Sequence, residues 1–138
     1  MIFVDTNVII DVLQDDPDWR SWSLERLGDA RADGELLIDV IVIAELSRDY
    51  PTLMALHGAI APLELTLSPL NAAAAFEAGH RFLTARAERG GGEAKRPLAD
   101  FFIGAHALTA GASLLTRDTR IYRRYFPDLP LITPETHS

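Results

Sequence analysis

The stretch Ile2-Phe3-Val4-Asp5-Thr6-Asn7-Val8-Ile9-Ile10-Asp11-Val12-Leu13 sets the fold. Ile2, Phe3 and Val4 form an unbroken apolar run, as expected of a parallel strand covered on both faces, and from Thr6 to Leu13 the pattern switches to helical spacing. The same alternation continues along the chain. A charged helix is expected from Asp18 to Arg31, ending at Gly34, then a strand at Leu36-Leu37-Ile38 and a helix from Ile41 to Arg48 that stops before Pro51. Leu53 to Ala61 has helical spacing, Leu63 to Leu67 alternates like a strand, and Ala72 to Arg89 carries Phe76, His80, Leu83 and Ala87 along one helical face. Gly90-Gly91-Gly92 breaks the pattern and reads as a surface loop. Beyond it come a helix from Leu98 to Ala110, a buried strand at Ser113-Leu114-Leu115-Thr116, a short basic helix from Thr119 to Tyr125, and a last strand at Leu131-Ile132. Strands alternating with helices imply an α/β fold with a central parallel sheet flanked by helices.

The 138 residues, 48% of them hydrophobic, suffice for one core and are too few for two, so residues 1–138 are read as a single domain. A net charge of -7 and a pI near 4.9 argue against coating nucleic acid through bulk positive charge, and against an anionic membrane surface. Any contact with nucleic acid must therefore be local. The absence of cysteine excludes disulfides and thiolate metal sites and suits a reducing compartment. With no basic leader and no apolar run long enough for a bilayer, a soluble, cytoplasmic protein is expected.

Two acids follow apolar strands. Asp5 stands after Ile2–Val4 and Asp118 after Leu114-Leu115-Thr116, and each precedes a helix. Each position suits a helix N-cap, and each also suits a ligand at the carboxyl end of a parallel sheet, where open α/β folds place their sites. Asp100 lies in a segment apolar on nearly every side, so its carboxylate needs a partner beyond the favourable helix dipole. Glu45, within Ile41-Val42-Ile43-Ala44-Glu45-Leu46, is either solvated or part of the same site. Taken together, two strand ends and two helices can converge at one end of the sheet. Crowded carboxylates repel and become stable anions beside a cation; oxygen donors without His or Cys select a hard ion, Mg²⁺ or Mn²⁺. Such an ion binds substrate phosphate, which points to phosphodiester hydrolysis.

The segments Asp5-Thr6-Asn7-Val8-Ile9-Ile10-Asp11, Ala44-Glu45-Leu46, Leu98-Ala99-Asp100 through Ile103-Gly104-Ala105-His106-Ala107, and Leu115-Thr116-Arg117-Asp118 with Tyr122-Arg123-Arg124-Tyr125-Phe126-Pro127 closely resemble the PIN-domain family. The resemblance covers almost the whole chain, and the Asp118 segment resembles the VapC-type toxins of bacterial toxin-antitoxin pairs. It implies a three-layer sandwich and a Mg²⁺- or Mn²⁺-dependent endoribonuclease, commonly a homodimer, inhibited by a small antitoxin encoded beside it. It also implies that Asp5, Glu45, Asp100 and Asp118 are the acidic metal ligands and catalytic groups, with Asn7 and Thr116 in support. One departure is Val42, where the family often has Ser or Thr three residues before the glutamate, so a capping hydroxyl is missing there.

Arg117, Arg120, Arg123 and Arg124 gather positive charge around Asp118. They are expected to contact RNA phosphates, the alternative being a solvated helix face. Arg89, Lys95 and Arg96 flank the glycine run as a possible clamp over substrate, against the plainer reading of a solvated loop. His106 reads as a packed residue outside the site. Trp19, Trp22, Leu53, Leu56 and Ile60 are expected to give an apolar surface covered by a second copy or by an antitoxin. Competing functions are an aspartyl-phosphate phosphatase, disfavoured because Asn7 stands where its second acid belongs, a catalytically silent PIN-like module that binds RNA or protein, and a housekeeping RNA-processing nuclease.

Overall fold

The computed structural model describes residues 1–89 and 98–138. The glycine run at 90–92 lies outside the described residues, as do Lys95 and Arg96 of the expected clamp. Five strands, β1 (Ile2–Val4), β2 (Leu36–Ile38), β3 (Leu65–Leu67), β4 (Ser113–Leu115) and β5 (Leu131–Ile132), form one sheet in the order β3-β2-β1-β4-β5. All pairings are parallel. Among the described residues seven helices connect them: α1 (Thr6–Leu13), α2 (Arg20–Asp33), α3 (Val40–Leu46), α4 (Leu53–Ile60), α5 (Ala72–Arg89), α6 (Leu98–Thr109) and α7 (Arg120–Tyr125). Short 3-10 turns at Ser47–Asp49 and Ala61–Leu63 close α3 and α4.

Helices cover both faces of the sheet. The Phe3 ring of β1 meets His106 of α6 at 5.0 Å, whereas Ile38, Leu65 and Leu67 line a cavity of about 190 Å³ with Ile43, His57 and Ile60 of α3 and α4. The inner strands β1, β2 and β4 carry unbroken apolar runs because both sides are buried, with Phe3, Val4, Leu114 and Leu115 fully enclosed, whereas the edge strand β3 alternates and is largely exposed. The sheet is thus the middle layer of an α/β three-layer sandwich.

Two apolar patterns fall elsewhere than the sequence reading put them. On α5 the Phe76 and Leu83 side chains are exposed, and the inward face is made by Ala74, Ala78 and Ala85. Small side chains let α6 approach α5 closely, and on α6 Gly104 lies so near Phe126 that a Cβ there would stand 2.8 Å from its ring. Leu56 and Ile60 of α4 belong to the core, at 2% and 7% exposure, so they cannot form the expected partner surface; Leu53 and Met54 on the same helix are exposed.

Candidate metal-binding site

The strand order reverses between β1 and β4, and in open parallel sheets the crevice outside the carboxyl ends at such a point is where ligands bind. Asp5 and Thr116 are the residues that leave the sheet there. The Asp5 amide still bonds to Leu115 O at 2.9 Å, which fixes its position relative to β4. Its carboxylate does two things at once. Oδ1 caps α1 by accepting from the Thr6 amide at 2.8 Å, while Oδ2 accepts from the Thr116 hydroxyl at 2.8 Å, the Tyr122 hydroxyl at 3.0 Å and Asn7 Nδ2 at 3.4 Å. Cap and site are therefore compatible. Burial pushes the Asp5 carboxyl up to about 6, with Glu45 adding to the rise and the bonds from Thr116, Tyr122 and Thr6 opposing it.

Glu45 lies near the end of α3. Asp39 caps that helix, its Oδ1 accepting from the amides of Ile41 and Val42 at 2.9 and 3.1 Å, so a hydroxyl at position 42 is not needed for the cap. The Thr6 hydroxyl holds Glu45 instead, donating to Oε1 at 2.7 Å. Asp100 occupies the first turn of α6 and accepts no hydrogen bond among the described residues. Burial first, then the charges of Asp5, Glu45 and Asp118, push its carboxyl up to about 7. Asp118 presents its amide to Thr116 Oγ1 at 3.1 Å and accepts from the Arg120 amide at 3.3 Å. With Asn7, Arg117, Thr119 and Arg120 it lines an open cleft of about 460 Å³.

The four arginines divide. Arg117, half-buried, turns its guanidinium onto the buried Asp11, with Nε and Nη2 donating to the two carboxylate oxygens at 2.6 and 2.7 Å and Cζ 5.1 Å from the centre of the Trp19 ring. Ser23 completes this buried cluster by donating to Asp11 at 2.6 Å. Arg123 pairs with Glu135 and Arg124 with Glu88, both at exposed positions. Arg120 is exposed on the cleft beside Asp118 and has no carboxylate partner among the described residues.

Two supporting groups escaped the sequence reading. Thr6 and Tyr122 stood in the segments that carry the family resemblance without a role of their own; both place hydroxyls on the carboxylates. Burial first, then the Asp5 carboxylate and the anions beside it, raise the Tyr122 phenol well above its usual value, so it stays a donor.

Among the described residues no group of three or more His, Cys, Asp or Glu side chains stands in a geometry that would hold one metal ion. Asp5 and Glu45 accept hydrogen bonds from hydroxyls of the protein. The donor chemistry nevertheless fits a hard divalent cation: every candidate ligand is oxygen, and none of the four carboxylates is paired with Lys, Arg or His among the described residues.

Residues 2–127 match the model of the family described as PIN domain. Similar solved structures include VapBC2 from Rickettsia felis bound to a DNA fragment from its promoter, at 23% identity and a TM-score of 0.69, covering 96% of this chain and 98% of that one. FitAcB from Neisseria gonorrhoeae is 23% identical over 100% of both chains with a TM-score of 0.66. A toxin-antitoxin complex from Klebsiella pneumoniae is 19% identical, covering 97% of this chain and 98% of that one, with a TM-score of 0.59. These likenesses establish a shared fold. No curated protein matches the chain.

Proposed function

Because the chain belongs to the PIN domain family, we propose that it is a Mg²⁺- or Mn²⁺-dependent endoribonuclease and the toxin of a toxin-antitoxin pair. The observation that carries this reading is Asp100, a carboxylate that accepts no hydrogen bond among the described residues and whose proton affinity is raised by burial and then by three other acids, an environment that suits a cation. Asp5, Glu45, Asp100 and Asp118 would hold the ion. When bound, it supplies Lewis-acid charge for attack of water on a phosphodiester. The chain's own part is positional: Thr116, Tyr122 and Asn7 aim Asp5, Thr6 aims Glu45, and Arg120 offers a guanidinium beside Asp118 for a backbone phosphate. Single-stranded or looped RNA is the proposed substrate, since its backbone can bend into such a site.

The fold is shared with proteins solved as toxin-antitoxin complexes, which supports an antitoxin partner; a homodimer is part of the same proposal. No helix among the described residues is long and apolar enough to cross a membrane. Incubation of the purified protein with mixed RNA in Mg²⁺, in Mn²⁺ and in chelator, followed by mapping of the cut positions, tests the nuclease reading. Metal-dependent cuts are expected, and cleavage that persists undiminished in chelator overturns it. Light scattering with and without the product of the adjacent reading frame tests the assembly.

A further inference from the structure

The inside of the fold holds a second polar cluster, on the α6 side of the sheet. His106, 3% exposed, sets Nδ1 2.8 Å from Asp39 Oδ2 and Nε2 3.1 Å from Ser68 Oγ. Asp39 is wholly buried, and its other oxygen caps α3. Ser68 leaves β3 with its amide on Ile38 O at 2.7 Å, so the imidazole ties α6 to the ends of two neighbouring strands and to the start of α3. An Asp-His-Ser series has the order of a nucleophilic triad, but the imidazole is enclosed among packed groups, Phe3 among them, which leaves no room for a substrate against it.

What the cluster does follows from where it sits. Asp39 precedes Glu45 by six residues and His106 follows Asp100 by six. Six residues of helix rise about 9 Å. α3 and α6 pack against each other, and the Asp39–His106 bond joins the start of α3 to the middle of α6, each about one and a half helical turns from its acid, Glu45 on α3 and Asp100 on α6. The bond is buried, and it fixes how far apart the two helices stand. From this geometry we infer that the Asp39–His106 pair is a positioning device that sets the spacing of Glu45 and Asp100. This rests on the proposed metal site and concerns how that site is held open to the correct width.

The bond can be removed without removing the cap. Asp39→Ser keeps a capping hydroxyl for α3 but is too short to reach His106. His106→Asn keeps a donor near the Nδ1 position, whereas His106→Gln moves it toward the Nε2 position. Mn²⁺ affinity is measured by calorimetry on each folded protein, alongside its metal-free melting temperature. The expected result is an affinity at least tenfold weaker in Asp39→Ser and His106→Gln and within about threefold of wild type in His106→Asn. Should one variant fail to fold, the other decides. If Asp39→Ser and His106→Gln melt lower but bind Mn²⁺ as tightly as wild type, the pair is structural only and the inference is overturned while the nuclease reading stands. If wild type itself binds no Mn²⁺, the metal site and this inference fall together.

Discussion

The Thr6 hydroxyl donates to Glu45 Oε1 at 2.7 Å, joining the first residue of α1 to the last turn of α3. One strand–helix junction thus supplies both a candidate ligand, Asp5, and the group that orients another. Thr6→Val keeps the shape and removes the donor, which costs about 1 kcal/mol of stability. Glu45 then swings freely, so the Mn²⁺ concentration for half-maximal cleavage should rise about tenfold, while Thr6→Ser behaves as wild type. An unchanged metal requirement in Thr6→Val would mean that this bond does not orient the site.

The raised carboxyls make the metal-free protein sensitive to pH in a definite direction. Asp5 at about 6 and Asp100 at about 7 hold their protons more tightly folded than unfolded, where the value is 3.8. Their contribution is fully present below about pH 4 and is lost as the pH rises through 6 and 7; for Asp5 the loss is about 3 kcal/mol in order of magnitude. Asp128, lowered by its bond to Arg81, has the opposite sign but is common to wild type and variant and cancels in their difference. Calorimetry in chelator should show Asp100→Asn melting with wild type near pH 4 and progressively above it toward pH 8. A difference that does not change with pH would remove Asp100 from the cluster of interacting acids.

Metal should reverse that penalty. An ion bound only by the folded protein raises the melting temperature by mass action. Wild type should gain several degrees with Mn²⁺ in excess, and Asp100→Asn should gain little. Equal gains would show that Asp100 is not a ligand.

Most of the fold was readable because strand–helix alternation is written in short apolar runs: Ile2–Val4 before Asp5 names both a strand and a helix start, and Leu36–Ile38 names a strand whose helix was placed from Ile41, one residue late, because the Asp39 cap was not used. Periodicity failed where it could not say which face turns inward. Phe76 and Leu83 form a regular stripe, yet α5 buries its alanines, because close approach to α6 excludes large side chains. The candidate acids could be named one by one. Their hydroxyl partners could not, since Thr6–Glu45 and Tyr122–Asp5 are contacts across 39 and 117 positions that only the sheet order brings about. Arg117 is the clearest case of a charge whose partner, Asp11, lay hidden within an apolar helix pattern.

Acids and arginines should act at different stages, and the structure distinguishes among the arginines. Asp5→Asn and Asp118→Asn remove candidate ligands, so single-turnover cleavage should fall by orders of magnitude while RNA binding survives or tightens as repulsion drops. Arg120→Ala removes the guanidinium on the cleft, so affinity should weaken and the slope of log affinity against log salt should become shallower by about 1. Arg123→Ala and Arg124→Ala break exposed pairs with Glu135 and Glu88, which carry little stability, and only an RNA contact would make their affinity change. Arg117→Ala is different in kind. It leaves the buried Asp11 carboxylate without its bidentate partner, so about 3 kcal/mol or more of stability should be lost. RNA affinity at several salt concentrations, set beside cleavage rates and melting temperatures for all six variants, separates these effects. If Arg120→Ala binds RNA with the wild-type salt slope, the phosphate path does not cross this cleft; if Arg117→Ala melts like wild type, the Asp11 pair does not hold the Thr116–Asp118 turn in place.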